Sequence, residues 1–187
     1  MMRLLFTIDS RDYNPNGKAV IRPSSRAIII KNNQVAMIHS PKYHYYKFPG
    51  GGINEGETEI DALIRETLEE SGLVIIPSSI EEYGYVHRIN KGNKEGEDVF
   101  IQNNYYYLCD VEKDLKPQQL SGYELEEEFE LVWVDPLTAI TTNRTGNHNH
   151  KSKYMLFRES QVLEILIKEG LLSIENRQSY DKNKTLL

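Results

Sequence analysis

The sequence contains almost nothing that would cross-link the chain or anchor it in a membrane. Cys109 is the single cysteine in 187 residues, so no disulfide can form within the chain, which is typical of a reducing compartment. No apolar run approaches the roughly 20 residues that span a bilayer. The first residues lack the small-residue cleavage site of a signal peptide. We therefore expect a cytoplasmic protein with no membrane partner.

Basic residues are outnumbered by acidic ones. Lys and Arg number 22 against 28 Asp and Glu, which gives a net charge of −6. A long nucleic acid requires a basic surface to neutralise its phosphates, so this balance argues against such a partner. With 39% hydrophobic and 27% charged residues the composition is that of a folded chain, and the length favours one domain.

β-Prone runs alternate with turn formers along most of the chain. An N-terminal strand and loop precede two runs at 27–30 and 35–38, which Asn32 and Asn33 join as a hairpin turn. Further strands are predicted at 83–89, 99–111 and 130–134. Pro136 starts a short turn or helix, residues 141–152 are predicted as a loop, and a helix follows from Met155 to a stop at Gly170.

Residues 48–73, FPGGGINEGETEIDALIRETLEESGL, combine a glycine-rich turn with a well-framed helix. Three glycines at 50–52 permit unusual backbone angles and let a ligand approach the main chain closely. Thr58 is a good N-cap, with Asp61 placed to complete a capping box, and Gly72 is a good residue to follow the last turn. The pattern predicts a helix over 59–71.

Three carboxylates crowd one face of that helix. Glu66, Glu69 and Glu70 stand at i, i+3 and i+4, which brings their Cβ atoms to within roughly 5–6 Å of one another. Their mutual repulsion is unfavourable, no lysine within the helix relieves it, and Arg65 lies to the side of this face. Glutamates on a helix are most often a solvated surface. Clustered oxygen ligands also suit a hard divalent cation, Mg²⁺ or Mn²⁺.

The spacing of this segment resembles the Nudix box, G-x5-E-x7-R-E-U-x-E-E-x-G-U, where U is a bulky aliphatic residue. The matching residues are Gly51, Glu57, Arg65, Glu66, Glu69, Glu70, Gly72 and Leu73. Thr67 departs from the pattern at the first U position. Because Thr67 falls on the core-facing stripe, its methyl group can take the place of an aliphatic side chain.

The resemblance implies an α/β (α+β) fold, an α/β/α sandwich around a mixed β-sheet. It would place the Nudix domain at 24–170, with an N-terminal strand and loop at 1–23 and a tail at 171–187.

The implied enzyme is a Mg²⁺-dependent Nudix hydrolase that cuts the pyrophosphate bond of a nucleoside diphosphate linked to another moiety. The alternative is a non-catalytic Nudix-like module that binds or senses a nucleotide. A homodimer is plausible because family members are often dimers.

The resemblance also assigns roles to individual residues. Glu69 and Glu70 become the principal metal ligands, Glu66 a ligand or the general base, and the carbonyl of Gly50 a further ligand.

Two supporting assignments lie outside that ligand set. Glu57 and Arg65 are implied as the pair that fixes the loop against the helix. In many family members a glutamate outside the box completes the metal site. The acidic run 124–130 precedes the strand that contains Trp133, and we favour Glu127 there, with Glu126 and Glu128 close behind.

The residues after the box do not identify the substrate. Among twelve tyrosines, Tyr46 is the best candidate to stack on a base, because it lies beside Phe48 and Pro49 just before the glycines. Packing in the sheet or the core is the commoner role for such a residue.

Overall fold

A computed structural model describes residues 2–92, 96–149 and 152–174. The strands are β1 (Leu4–Asp9), β2 (Ala19–Ile21), β3 (Ser24–Ile28), β4 (Ile30–Lys31), β5 (Gln34–Ser40), β6 (Tyr45–Lys47), β7 (Gly50–Gly52), β8 (Glu81–Lys91), β9 (Val99–Leu108) and β10 (Glu130–Val134). The helices are α1 (Glu59–Ser71), α2 (Tyr123–Glu126), α3 (Pro136–Thr145) and α4 (Lys153–Lys168), with a 3₁₀ turn at Pro77–Ser79.

The strands form two sheets. The larger has the order β1-β8-β9-β3-β7, with β2 also paired to β9, and it is mixed because β1 and β3 run parallel to their neighbours β8 and β9. The smaller is antiparallel, with the order β10-β5-β4 and β6 paired to β5. The glycine segment 50–52 forms the edge strand of the larger sheet, where a short, irregular strand is tolerated.

Helices cover both faces of the larger sheet. Ala27 of β3 packs in one core with Leu63 of α1, whereas its neighbour Ile28 packs in another with Leu163 of α4. Successive strand residues point to opposite faces, so α1 and α4 lie on opposite sides. This arrangement confirms the predicted α/β class, with helices around a mixed sheet.

The sequence patterns locate most elements correctly. Asn32 and Asn33 have φ of 51° and 60°, as a tight hairpin turn between β4 and β5 requires. The loop predicted at 141–152 is wrong over its first part, because α3 continues to Thr145. Ile140 and Asn143 are buried three residues apart, so this helix is held by contacts that its polar sequence does not reveal.

Both ends of the described chain join the fold. β1 pairs in parallel with β8, which confirms the N-terminal strand, while the strand β2 falls in a segment predicted as loop. α4 is followed by Gly170 at φ of 80°, the predicted stop. Leu172 is buried, so packing reaches into the predicted tail, whose residues 175–187 lie outside the described ranges. Within those ranges no helix is both long and apolar enough to cross a membrane.

Candidate metal centre and active site

The helix α1 begins and ends at the predicted residues. The Thr58 hydroxyl accepts a hydrogen bond from the Asp61 amide at 3.1 Å, and the Asp61 carboxylate accepts one from the Thr58 amide at 3.4 Å. At the other end Gly72 adopts φ of 73° and donates to the Leu68 carbonyl at 2.8 Å. Local capping therefore places the three glutamates of the box on the helix.

Arg65 connects the loop to the acidic face of α1. Its Nε and Nη2 atoms donate to the two oxygens of Glu57 at 2.7 and 2.8 Å. Its Nη1 donates to Glu66 at 2.8 Å and to Glu69 at 3.1 Å, and Nη2 reaches the Gly52 carbonyl at 3.2 Å. The hydrogen bond from Arg65 lowers the pKa of Glu57 to about 2.

These contacts include the Glu57–Arg65 pairing implied by the resemblance. They also show that one expectation is wrong, because the repulsion among the glutamates is relieved from within the helix. The side chain of Arg65 is long enough to reach Glu69, one turn away, as well as its neighbour Glu66.

Three carboxylates converge in space. One oxygen each from Glu66, Glu70 and Glu124 lie within 4.8 Å of one another. Glu66 and Glu70 come from α1, and Glu124 comes from the short helix α2 that precedes β10. The amide of Ser121 donates to the Glu124 carboxylate at 2.9 Å and helps to orient it. The donor set suits a hard divalent cation.

Glu124, which completes the carboxylate cluster, was not among the predicted site residues. It lies in the acidic run 124–130 that we favoured, but the pattern of that run does not indicate which member faces α1. Glu127, the favoured residue, is buried and its carboxylate accepts a hydrogen bond from the Tyr45 hydroxyl at 2.5 Å. It is not a member of the three-carboxylate cluster, and Glu126 and Glu128 are exposed.

A buried lysine holds Glu70. The Lys47 ammonium forms an ion pair with one oxygen of Glu70, and the Gly50 amide donates to the other at 3.0 Å. The two side chains are only 5% and 0% exposed. Burial lowers the pKa of Lys47 and raises that of Glu70, while the attraction between the two charges opposes both shifts.

The Gly50 carbonyl, implied as a metal ligand, also faces cations of the protein. Arg26 Nη1 donates to it at 2.5 Å, and Lys47 Nζ lies 3.4 Å from it. Gly50 itself has φ of 131°, and a Cβ there would overlap the Ser25 carbonyl. Only glycine fits this position, from which the Gly50 amide reaches Glu70.

Gly51 is required for a different reason. Its backbone angles are ordinary, but a Cβ at this position would overlap the Glu66 carboxylate. The glycine strand and the helix therefore approach so closely that the Glu66 side chain rests on the main chain. This contact and the hydrogen bond from Arg65 fix the direction of Glu66.

Tyr46 faces away from the carboxylate cluster. In β6 the side chains alternate, and Lys47 points to Glu70 while Tyr45 points to Glu127. Tyr46 therefore lies on the opposite face, where its ring stacks on His39 with centroids 4.7 Å apart. Strand alternation thus places it apart from the site where we expected it to stack on a base.

A cavity adjoins the cluster on the side of Lys47. Its volume is about 480 Å³, and its walls are formed by Arg26, Tyr45, Lys47, Tyr123, Glu127, Phe129, Ser152 and Met155. Tyr123 is the neighbour of Glu124 in the chain and packs edge-on against Phe129, with ring centroids 5.7 Å apart. Aromatic and cationic groups, together with the Glu127 carboxylate, thus line the space beside the cluster.

Comparison with known proteins identifies the domain. A sequence model of the NUDIX domain matches residues 21–157. Curated RNA pyrophosphohydrolases from Psychromonas ingrahamii and Yersinia pestis are each 40% identical over 68 residues, which is 35% of this chain. The match spans about a third of the length of these relatives, 33% and 34% respectively.

Solved structures share the fold. The NUDIX hydrolase from Nitrosomonas europaea superposes with a TM-score of 0.52 at 16% identity, covering 76% of this chain and 90% of that one. The ORF135 protein of E. coli superposes with a TM-score of 0.50 at 18% identity, covering 84% of this chain and 97% of that one.

Proposed function

The chain belongs to the Nudix hydrolase family, and on that basis we propose that it hydrolyses the pyrophosphate bond of a nucleotide-type substrate. The observation that supports this most strongly is the convergence of Glu66, Glu70 and Glu124 beside the glycine loop. Two of these residues belong to the box and the third comes from a distant segment. Like charges repel, so the carboxylates of a merely solvated helix face would not be expected to lie close to a carboxylate from another element.

We propose that the cluster binds Mg²⁺, which Mn²⁺ can replace. Glu66, Glu70 and Glu124 would hold the ion, with the Gly50 carbonyl and Glu69 as the further ligands that the resemblance implies. A divalent cation bound there would neutralise the pyrophosphate oxygens and lower the pKa of a water molecule. The oxygen-only donor set is the kind that Mg²⁺ and Mn²⁺ prefer.

The protein's own residues would orient the reaction. Arg65 and the backbone of Gly51 hold the Glu66 carboxylate in one direction. We propose Glu66 as a ligand or as the general base that accepts the proton of the attacking water. A Glu66→Gln variant separates the two roles, since loss of a ligand weakens Mn²⁺ binding whereas loss of a base lowers turnover with Mn²⁺ binding intact.

The cavity beside the cluster favours a small substrate. A volume of about 480 Å³ suits one nucleotide moiety. Tyr45, Tyr123 and Phe129 line this cavity and could contact a base, the role that we predicted for Tyr46, which lies on the other face of β6. The curated relatives act, by their names, on RNA, so an RNA 5′ end is the second candidate substrate. The acidic net charge favours the small nucleotide.

The test is a substrate panel with Mg²⁺ or Mn²⁺, read by phosphate release after coupling to a phosphatase. The panel contains ADP-ribose, nucleotide sugars, dinucleoside polyphosphates, oxidised nucleoside triphosphates and a 5′-triphosphorylated oligonucleotide. Hydrolysis of one class that requires the metal is the expected result. Nucleotide binding without any hydrolysis would instead support the non-catalytic module.

Substitutions test the third ligand. We expect Glu124→Gln to weaken Mn²⁺ binding by at least about tenfold, because an amide is a poor ligand for a hard cation. Glu55→Gln, an exposed change in the box loop, should leave binding and turnover unchanged. If Glu127→Gln loses Mn²⁺ binding and Glu124→Gln retains it, the third metal ligand is Glu127 and not Glu124.

Two further expectations stay predictions. A homodimer would be detected by light scattering of the purified protein. A cytoplasmic location would be detected by fractionation of the source cells.

A further inference from the structure

The ammonium of Lys47 lies against two groups that we propose as metal ligands. Its ammonium contacts the Glu70 carboxylate and lies 3.4 Å from the Gly50 carbonyl, a carboxylate and a carbonyl that we propose as metal ligands. It is a buried cation beside two oxygen atoms, one from each of these groups. A divalent cation can therefore coordinate the Glu70 oxygen that is paired with Lys47 only if the ammonium is displaced.

The same lysine stands in the wall of the cavity, and it has a cationic neighbour. Arg26 also lines the cavity, is 9% exposed, and donates from Nη1 to the Gly50 carbonyl. The Nε atom of Arg26 is buried and has no hydrogen-bond partner among the described residues. An unused buried donor beside a second cation is an arrangement that an anionic ligand would satisfy.

We infer that Lys47 serves two partners in turn. Without a divalent cation it neutralises Glu70, and when the cation binds Glu70, Lys47 is displaced into the cavity and, with Arg26, binds a phosphate group of the substrate. This inference rests on the proposed function, since it assumes that Glu70 is a metal ligand. It adds a phosphate-binding pair, Lys47 and Arg26, which the Nudix box does not contain.

Physical chemistry supports this exchange. A buried ammonium without an anionic partner is costly, so a lysine that loses Glu70 needs another anion nearby. The flexible four-carbon side chain can redirect three donors without moving the strand. The ammonium also lies 4.9 Å from the ring centroid of Phe129, a cavity residue that can keep contact with it during the change.

A Lys47→Met variant tests both halves of the exchange. Mn²⁺ binding, followed by the paramagnetic resonance of the free ion, should become at least about tenfold tighter because no ammonium has to be displaced. Binding of imidodiphosphate, a non-cleavable diphosphate, to the Mg²⁺-saturated variant should weaken by at least about tenfold in calorimetry. Lys42→Met, which removes an exposed lysine of a neighbouring loop, should change neither affinity.

A second measurement uses the unmodified protein, in case the variant does not fold. Acetylation of lysines, quantified by mass spectrometry, should leave Lys47 almost unlabelled in metal-free protein because it is buried against Glu70. Added Mg²⁺ should raise its labelling by at least about fivefold, and imidodiphosphate should suppress it again. Lys42 provides an internal reference whose labelling stays constant.

The outcomes separate this inference from the function on which it rests. Suppose that the unmodified protein binds Mn²⁺ and hydrolyses a substrate. If Lys47→Met then leaves the affinities for Mn²⁺ and imidodiphosphate unchanged, or if Mg²⁺ leaves Lys47 labelling unchanged, the inference is overturned but the proposed function is not. If the unmodified protein neither binds Mn²⁺ nor hydrolyses any substrate, the proposed function fails and the inference fails with it.

Discussion

At the scale of single residues, Thr67 shows how a departure from the box pattern is accommodated. Its side chain is fully buried on the core side of α1, where the pattern has a bulky aliphatic residue. Its hydroxyl oxygen is buried without a hydrogen-bond partner among the described residues. Full burial agrees with the core-facing position predicted for Thr67, and a buried hydroxyl without a partner lowers stability.

We therefore predict that Thr67→Val stabilises the protein. Valine has nearly the same shape and removes an unsatisfied polar group, a gain of about 1 kcal/mol. The melting temperature should rise by roughly 2–4 °C. Differential scanning calorimetry would measure the rise, with Thr141→Val at an exposed position of α3 as the control. A lower melting temperature for Thr67→Val would show that the hydroxyl has a partner in solution.

At the scale of elements, the Glu57–Arg65 contact links the box loop to α1 and should depend on pH. The pKa of Glu57 is about 2 in the folded protein against an ordinary value of 4.5. A carboxyl group whose pKa is lowered by folding adds stability above its ordinary pKa and loses that contribution as the pH falls towards the folded value.

The measurement is the melting temperature of the unmodified protein and of Glu57→Gln across this range. The unmodified protein should melt higher than Glu57→Gln at pH values above about 4.5, and the gap should close as the pH approaches about 2. Glu55→Gln, which changes an exposed carboxylate of the same loop, should follow the unmodified protein throughout. A gap that does not vary with pH would mean that the ion pair adds no stability.

At the scale of the whole molecule, a buried polar network joins α4 to both the sheet and the glycine loop. Arg158 donates to Glu159 through Nη2 at 2.5 Å and to Asn104 of β9 through Nη1. Glu159 accepts a hydrogen bond from the Phe48 amide, just before the glycines, at 2.9 Å. The C-terminal helix therefore helps to position the loop whose Gly50 contacts Glu70.

Glu159→Gln should destabilise the protein strongly. It leaves Arg158 buried without its anionic partner, a loss of about 3–5 kcal/mol in the free energy of unfolding. Denaturant titration would measure this loss. The matched control is Glu164→Gln on the same helix, which breaks a more exposed pair with Arg144 at 2.7 Å and should cost less than about 1 kcal/mol. Equal losses of unfolding free energy in the two variants would show that burial of the Arg158–Glu159 pair does not increase its contribution to stability.

Features that depend on neighbours in the chain were predictable. The limits of α1 follow from Thr58 and Gly72, and the hairpin turn follows from Asn32 and Asn33. The reach of Arg65 to Glu69 could also have been foreseen, since residues four apart in a helix are neighbours.

Features that depend on distant segments were decided by the tertiary structure. Glu124 reaches α1 from a separate element, Lys47 meets Glu70 across 23 positions of sequence, and Tyr46 faces away because of the register of β6 with β5. The limits of the box helix, its N-terminal cap and the spacing of Glu66, Glu69 and Glu70 follow from neighbouring residues alone, since backbone hydrogen bonds and helical spacing act over a few residues. The approach of Glu124 to α1, the burial of Lys47 against Glu70 and the cavity all require the folded chain. Side chains that are far apart in sequence meet only when the strands and helices pack together.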